Sequence, residues 1–245
     1  FAEELGKRLG AKPVGLGSLR VASGDVPEVE GYRTGDWWVQ DAAAAIPAEL
    51  LDVKPGERVF DLCAAPGGKT MQLAAAGAEV VAVDRSKARL TRVEENLDRT
   101  GLAGRVEILA EKAEDWTPDA LADAVLLDAP CSALGTLRRH PEGAWIKSPD
   151  EIARFPQVQL RLLEAAARLV KPGGRIVYCV CTPLKREGAD VVAKALASTG
   201  LERLAISAED AGPFAHGLTA DGDLLTLPHG DFAHDAFYIA RLVKP

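Results

Sequence analysis

From residue 58 onward the chain alternates short apolar runs with stretches of helical period, and no other feature of the sequence limits its fold as strongly. The apolar runs cover 58–62 (RVFDL), 79–83 (EVVAV), 106–109, 124–127 and 175–180 (RIVYCV). Helical patterns cover 68–77, 86–100 with Gly101 just past the end, and roughly 150–170, ending at KPGG (171–174). A further helix is predicted near 187–199, and two short strands near 201–206 and 236–242. Strands alternating with helices of this length predict an α/β fold: a mostly parallel, seven-stranded sheet with helices on both faces. In such sheets ligands bind beyond the carboxyl ends of the strands. Every conspicuous residue lies there: Cys63 to Lys69, Asp84, Asp128 to Cys131, and Cys181.

The chain has 245 residues, which suits one large domain with a short appendage. Residues 1–34, rich in Gly and broken by Pro13 and Pro27, read as a remnant or linker, and residues 35–245 as the folded domain. The Ala-rich stretch AAAAIPAELL is predicted as a helix interrupted at Pro47, and KPGER (54–58) as a turn. The only methionine is Met71, so an N-terminal part is expected to be missing before Phe1. Apolar residues make up 47% and charged residues 27%, which excludes a disordered or collagen-like chain. No apolar run reaches the roughly 18–20 residues of a membrane span, and no signal peptide is visible. Four cysteines are too few for a disulfide framework, and without a Cys-x-x-Cys pair no metal site is expected. The pattern is that of an intracellular, cytoplasmic chain.

The turn DLCAAPGGKT (61–70) joins a strand to a helix. Its residues Cys63, Ala64, Ala65, Pro66, Gly67, Gly68 and Lys69 form a candidate ligand loop. Gly67 and Gly68 are expected to let a ligand approach the backbone, and the free N–H groups of the helix start favour polar or anionic groups. A P-loop would need glycine where Cys63 stands, and no Gly-x-Gly-x-x-Gly occurs. Asp84 ends the second strand, where an acid can accept hydrogen bonds from both ribose hydroxyls of a nucleoside. The competing reading is a helix N-cap. Cys131 follows the fourth strand beside Asp128, and Cys179 and Cys181 close the fifth on one face. Cys179 is expected to be a buried, inert thiol.

The net charge of −7 lacks the basic footprint of a nucleic-acid binder. Contact with nucleic acid must therefore come from a local patch. LRRHPEGAWIK (137–147) offers one: Arg138, Arg139 and Lys147 for phosphates, with Trp145 between them for a base. A solvated loop is the alternative.

DLCAAPGGKT, VDRSKAR, LLDAPCSALGTLRRHPE and YCVCT, in this order, resemble the RNA cytosine-C5 methyltransferases of the Nol/Nop/Sun family. The bacterial ribosomal-RNA members of the Sun or Fmu type are most similar, and the resemblance covers roughly residues 30–245. It implies a Rossmann-type fold over 35–245 and S-adenosyl-L-methionine as cofactor. The cofactor would be held by Cys63 to Lys69, by Asp84 with Arg89 nearby, and by Asp128, which also lies close to the target base. The resemblance assigns the nucleophile to Cys181 and release of the covalent intermediate to Cys131. Three departures stand out: Val180 before the nucleophile, Thr182 after it, and an adenine-side acid position contested by Glu111 and Lys112. The N-terminal RNA-binding part common in the family is largely missing.

The chemistry accounts for these residue types. Carbon 5 of cytosine is a poor nucleophile until a thiolate adds to carbon 6. An acid at the base edge stabilises the developing charge. The base must be unstacked for carbon 6 to be reached. The expected function is therefore formation of 5-methylcytosine in small-subunit ribosomal RNA, with RNA as partner, neither membrane nor metal, and an oligomeric state left open with a monomer favoured. Alternatives are the same chemistry on transfer RNA, or a non-catalytic RNA-binding assembly protein, which would need neither thiol. The missing P-loop glycine disfavours a nucleotide hydrolase. DNA is disfavoured because DNA cytosine methyltransferases take their nucleophile from the Pro-Cys motif.

Overall fold

The computed structural model describes residues 2–21, 24–229 and 233–245. The segment read as a linker carries helix α1 (Ala2–Leu9) and an antiparallel hairpin of β1 (Lys12–Gly15) and β2 (Ser18–Arg20). Residues 1, 22 and 23 of that segment lie outside the described residues. The hairpin is seated on the main body: a side chain at Gly15 would stand 2.3 Å from the Pro213 ring.

The main body opens with α2 (Ala42–Leu51), capped by Asp41, whose side chain accepts from Ala43 N at 2.9 Å. The expected interruption at Pro47 does not occur; the helix runs through it. Pro47 removes one backbone donor, but Ala43, Ala45, Ile46, Ala48, Leu50 and Leu51 are all buried, and that apolar burial outweighs the lost bond. There follow β3 (Arg58–Leu62), α3 (Gly68–Ala75), β4 (Glu79–Val83), α4 (Lys87–Thr100), β5 (Val106–Leu109) and β6 (Ala122–Asp128). After a one-turn helix α5 (Gly143–Ile146) comes α6 (Pro149–Leu169), started by a reciprocal Ser148–Glu151 cap. Then β7 (Val170–Val180), α7 (Ala189–Thr199), β8 (Glu202–Arg203), α8 (Ala208–Ala211), β9 (Leu224–Thr226) and β10 (Phe237–Val243) complete the chain.

The sheet has the order β5-β4-β3-β6-β7-β10-β8, with β9 also paired to β10. The seven predicted strands are all in it, and β9 is an addition. Strands β3 to β7 are parallel, while β10 runs antiparallel to β7 with Tyr238 opposite Val180. The KPGG turn is absorbed into β7: Ala122 pairs with Val170 and Ala124 with Arg175, so the intervening residues bulge out, with Gly173 at φ +77°.

Alternation along the strands sends residues to two cores. Phe60, Leu62, Val125, Leu127, Ile176 and Tyr178 pack with Leu163 and Ala166 of α6. Val59, Ala124, Leu126, Val177 and Cys179 pack with Ile46 and Leu50 of α2 and Leu73 of α3. Strand order reverses between β3 and β6, so the chain leaves the sheet in opposite directions there and opens a crevice at the strand ends.

Candidate active site

Four strand ends build the site. Past β3 the chain turns at Cys63, a non-glycine residue at φ +63°, and runs through Ala64, Ala65 and Pro66 to Gly67 at φ +102°. Both glycines are closely packed on one side. A side chain at Gly67 would meet Val93 of α4 at 3.1 Å, and one at Gly68 would meet Gln40 at 3.3 Å. Burial, reinforced by the Asp84 and Asp128 charges, pushes the Cys63 thiol far up, so it stays an unreactive S–H.

Asp84, at the end of β4, is buried and is not the helix cap; Ser86 caps α4 by accepting from Arg89 N at 3.4 Å. Asp84 accepts from Ala65 N at 3.2 Å and Ser86 N at 2.9 Å, and pairs with Arg89 at 3.4 Å. Arg89 also donates to Ala65 O, so the acid, the base and the β3 turn form one unit. A cavity of about 240 Å³ adjoins them, lined by Cys63, Ala65, Asp84, Arg89, Asp128, Cys131 and Cys181 among others. Glu111, Lys112 and Glu114 all line it as well. Ala64, Pro66, Gly67, Gly68 and Lys69 are not in its lining.

Lys69 instead passes behind the turn to Asp128, with Nζ 2.8 Å from Oδ2. Burial works against its charge, but Asp128 close by more than compensates, and the ammonium is held well above its usual range. Asp128 Oδ1 accepts from the buried Cys179 thiol at 3.5 Å. Burial and the Asp128 charge push that thiol up, in keeping with an inert Cys179. Beneath them Asp61 is completely buried, bonded by Thr70 Oγ1 at 2.6 Å, with Oδ1 unpartnered. Burial pushes its carboxyl up to about 7.

The two remaining thiols meet. Cys131 Sγ, beyond β6, lies 3.4 Å from Cys181 Sγ, beyond β7. Their hydrogen bond, with burial, pushes the Cys131 thiol well up, so it holds its proton. The loop after Cys131 docks on the loop after Cys181: Gly135 N donates to Cys181 O, and Ala236 N to Gly135 O, both at 3.0 Å.

The basic patch is arranged differently from expectation. Arg139 forks onto Asp235, and Arg138 reaches Asp41 at 3.2 Å and Asp235 at 3.5 Å. Both acids are buried at the side chain. These arginines therefore tie the 133–140 loop to the start of α2 and to the segment before β10, with about four-tenths of each side chain still exposed. Lys147 Nζ donates to Ser132 O, beside Cys131. Trp145, 88% exposed, stands clear of the protein. Asp41 and Asp235 went unnoticed in the sequence, as did the buried Glu187 and Gln159 under the Cys131 loop. Among the described residues no cluster of three or more His, Cys, Asp or Glu is placed to hold a metal ion, and no helix is long and apolar enough to cross a membrane.

A mostly parallel sheet whose order reverses between β3 and β6, with an acid ending β4 and another ending β6, has the Rossmann-type fold shared by S-adenosylmethionine-dependent methyltransferases. The chain belongs to the 16S rRNA methyltransferase RsmB/F family, whose model matches residues 48–243. It is 40% identical over 225 residues to the ribosomal RNA small subunit methyltransferase B of Pseudomonas syringae pv. tomato, covering 90% of this chain and 50% of that protein. The chain thus spans about half the length of such relatives. The crystal structure of PH0851 superposes with a TM-score of 0.87 at 31% identity, covering 99% of this chain and 56% of that one. NSun6 from Pyrococcus horikoshii, solved with SFG, gives 0.75 at 28% identity, covering 92% and 57%.

Proposed function

We propose that this chain is the catalytic part of an enzyme that forms 5-methylcytosine in small-subunit ribosomal RNA, working in the cytoplasm. The observation that carries this reading is the thiol pair, 3.4 Å apart at adjacent strand ends beside Asp128. A protein that only binds RNA needs neither thiol.

The cavity beside Asp84 suits the nucleoside half of S-adenosylmethionine. Asp84 Oδ1 accepts one backbone N–H and keeps a lone pair for a ribose hydroxyl, while Oδ2 accepts another N–H and faces Arg89. Ala65, Ala113 and Leu162 offer apolar walls for the adenine. When bound, the cofactor supplies an electrophilic methyl group. Cys181 Sγ adds to carbon 6 of an unstacked cytosine, and the ring electrons shift to make carbon 5 nucleophilic. Asp128, held by Lys69, accepts from the exocyclic amino group of the base and so orients carbon 6 toward Cys181. After transfer carbon 5 must lose its proton while the Cys181–carbon bond breaks and the double bond re-forms. Cys131, protonated and in contact with Cys181, hands its proton to the departing thiolate and takes the carbon-5 proton in its place. Trp145 and Lys147, with the open edges of Arg138 and Arg139, form the RNA-facing rim.

Variants of the two thiols test the reading on a denaturing gel with labelled ribosomal RNA. Cys181→Ala should give neither methylation nor adduct. Cys131→Ala should methylate once and remain attached. An adduct in Cys181→Ala but not in Cys131→Ala would reverse the roles; no adduct in either would end the covalent mechanism.

A further inference from the structure

A buried polar cluster lies directly beneath the Cys131 loop, and the reaction as described makes no use of it. Glu187 is fully buried, although it follows the exposed residues Lys185 and Arg186. Its Oε2 accepts from Ser132 N at 2.9 Å and from Gln159 Nε2 at 3.0 Å. Gln159 Nε2 also donates to Pro130 O at 3.0 Å. The pair therefore grips the peptide groups on both sides of Cys131. A second link joins the thiol loops: Ser132 Oγ donates to Thr182 Oγ1 at 3.0 Å, one residue beyond each cysteine.

The cluster is costly to keep. Glu187 Oε1 and Gln159 Oε1 are buried without a hydrogen-bond partner, and a buried unsatisfied oxygen opposes folding. An apolar pair of equal volume would fill the space at lower cost, but could hold neither Ser132 N nor Pro130 O. The cluster is also fixed from below. Tyr178 OH donates to Glu187 O at 2.5 Å, and a side chain at Gly188 would stand 2.6 Å from the Tyr238 ring.

We propose that Glu187 is a positioning residue: with Gln159 and the Ser132–Thr182 hydroxyl bridge, it holds Cys131 Sγ against Cys181 Sγ. This rests on the reading of these two cysteines as the reacting thiols. Its test is independent of methylation. Diamide joins two adjacent thiols: the Cys131–Cys181 S–S bond forms, and the two protons and two electrons reduce the reagent's N=N bond to a hydrazine. The rate is followed in the whole chain by mass spectrometry of the linked peptides.

Glu187→Ala should slow that bond about ten- to a hundredfold, the penalty of misplacing reacting atoms by an ångström. Glu187→Gln keeps an acceptor for Ser132 N and should stay close to wild type. Thr182→Val should slow the bond in the same direction. S-adenosylmethionine affinity by calorimetry should be unchanged in all three. A wild-type rate in Glu187→Ala, or a glutamine variant as slow as the alanine one, overturns the proposal. If Glu187→Ala does not fold, Thr182→Val decides, and a wild-type rate there overturns it. Slowed disulfide formation in a chain that methylates no RNA would uphold the clamp and sink the reaction assigned above.

Discussion

Gly135→Ala measures how closely the two thiol loops are fitted. Gly135 lies between Cys181 O and the backbone of Ala236, bonded to both at 3.0 Å. A Cβ at this position would stand 2.0 Å from Ala236 O and 2.9 Å from Cys181 O. A carbon–oxygen contact needs about 3.3 Å, so one backbone must retreat by roughly an ångström, and no flexible side chain is available to give way. Both hydrogen bonds are then strained or lost, at about 1 kcal/mol each. Overpacking adds about 1–3 kcal/mol, for a total of about 3–5 kcal/mol. The displaced atoms include the carbonyl of Cys181 itself, so single-turnover methylation should fall about a hundredfold. Urea unfolding gives the first quantity and rapid-quench transfer to a ribosomal RNA fragment gives the second. An alanine variant with the wild-type urea midpoint and wild-type rate would refute the close docking of these loops.

Asp84→Asn should weaken S-adenosylmethionine binding about ten- to a hundredfold by removing the charge from the ribose hydrogen bonding at this position; unchanged affinity in calorimetry would take Asp84 out of the site. Trp145→Ala should cost RNA affinity by about 1–3 kcal/mol of lost stacking while leaving cofactor affinity alone, and equal RNA binding in a filter assay would remove Trp145 from the rim. Asp61→Asn probes a buried acid whose folded pKa, raised to about 7, lies above its ordinary 3.8. In wild type the folded state holds this proton after the unfolded state has lost it, so stability falls as pH rises through that window and is level beyond it. The asparagine variant lacks this loss, so its stability relative to wild type should climb between about pH 4 and pH 7 and then stay flat; a difference independent of pH in urea titrations would contradict an un-ionised Asp61.

Legibility in the sequence divides along a physical line. The strands and the helices between them are read from periodicity, which is local: RVFDL or RIVYCV has no stable place except inside a sheet covered on both faces. The candidate site residues are legible for a related reason. A strand end is where periodicity stops, and Cys63, Asp84, Asp128, Cys131 and Cys181 all stand at such breaks. Local cues failed where a partner is distant. Arg138 and Arg139 looked like free cations, yet the acids they bind lie 97 and 96 positions away. Glu187 sits in KREGAD, a string that reads as solvated surface, and only the folded chain brings Ser132 and Gln159 to it. Gly67 and Gly68 also have a packing demand that no local cue shows: a side chain there would crowd Val93 or Gln40.

The same division explains why the two thiols could be named from the sequence while their contact could not. Each cysteine is placed by its own strand, β6 or β7, but the 3.4 Å between them depends on how the two following loops are held. That is the work of Gly135, of the Ser132–Thr182 bridge, and of groups brought in from α6, the segment before β10 and the start of α2. If the reaction needs a proton to pass between Cys131 and Cys181, rate should then depend on these distant groups almost as steeply as on the thiols, since a proton crosses a hydrogen bond and not a gap.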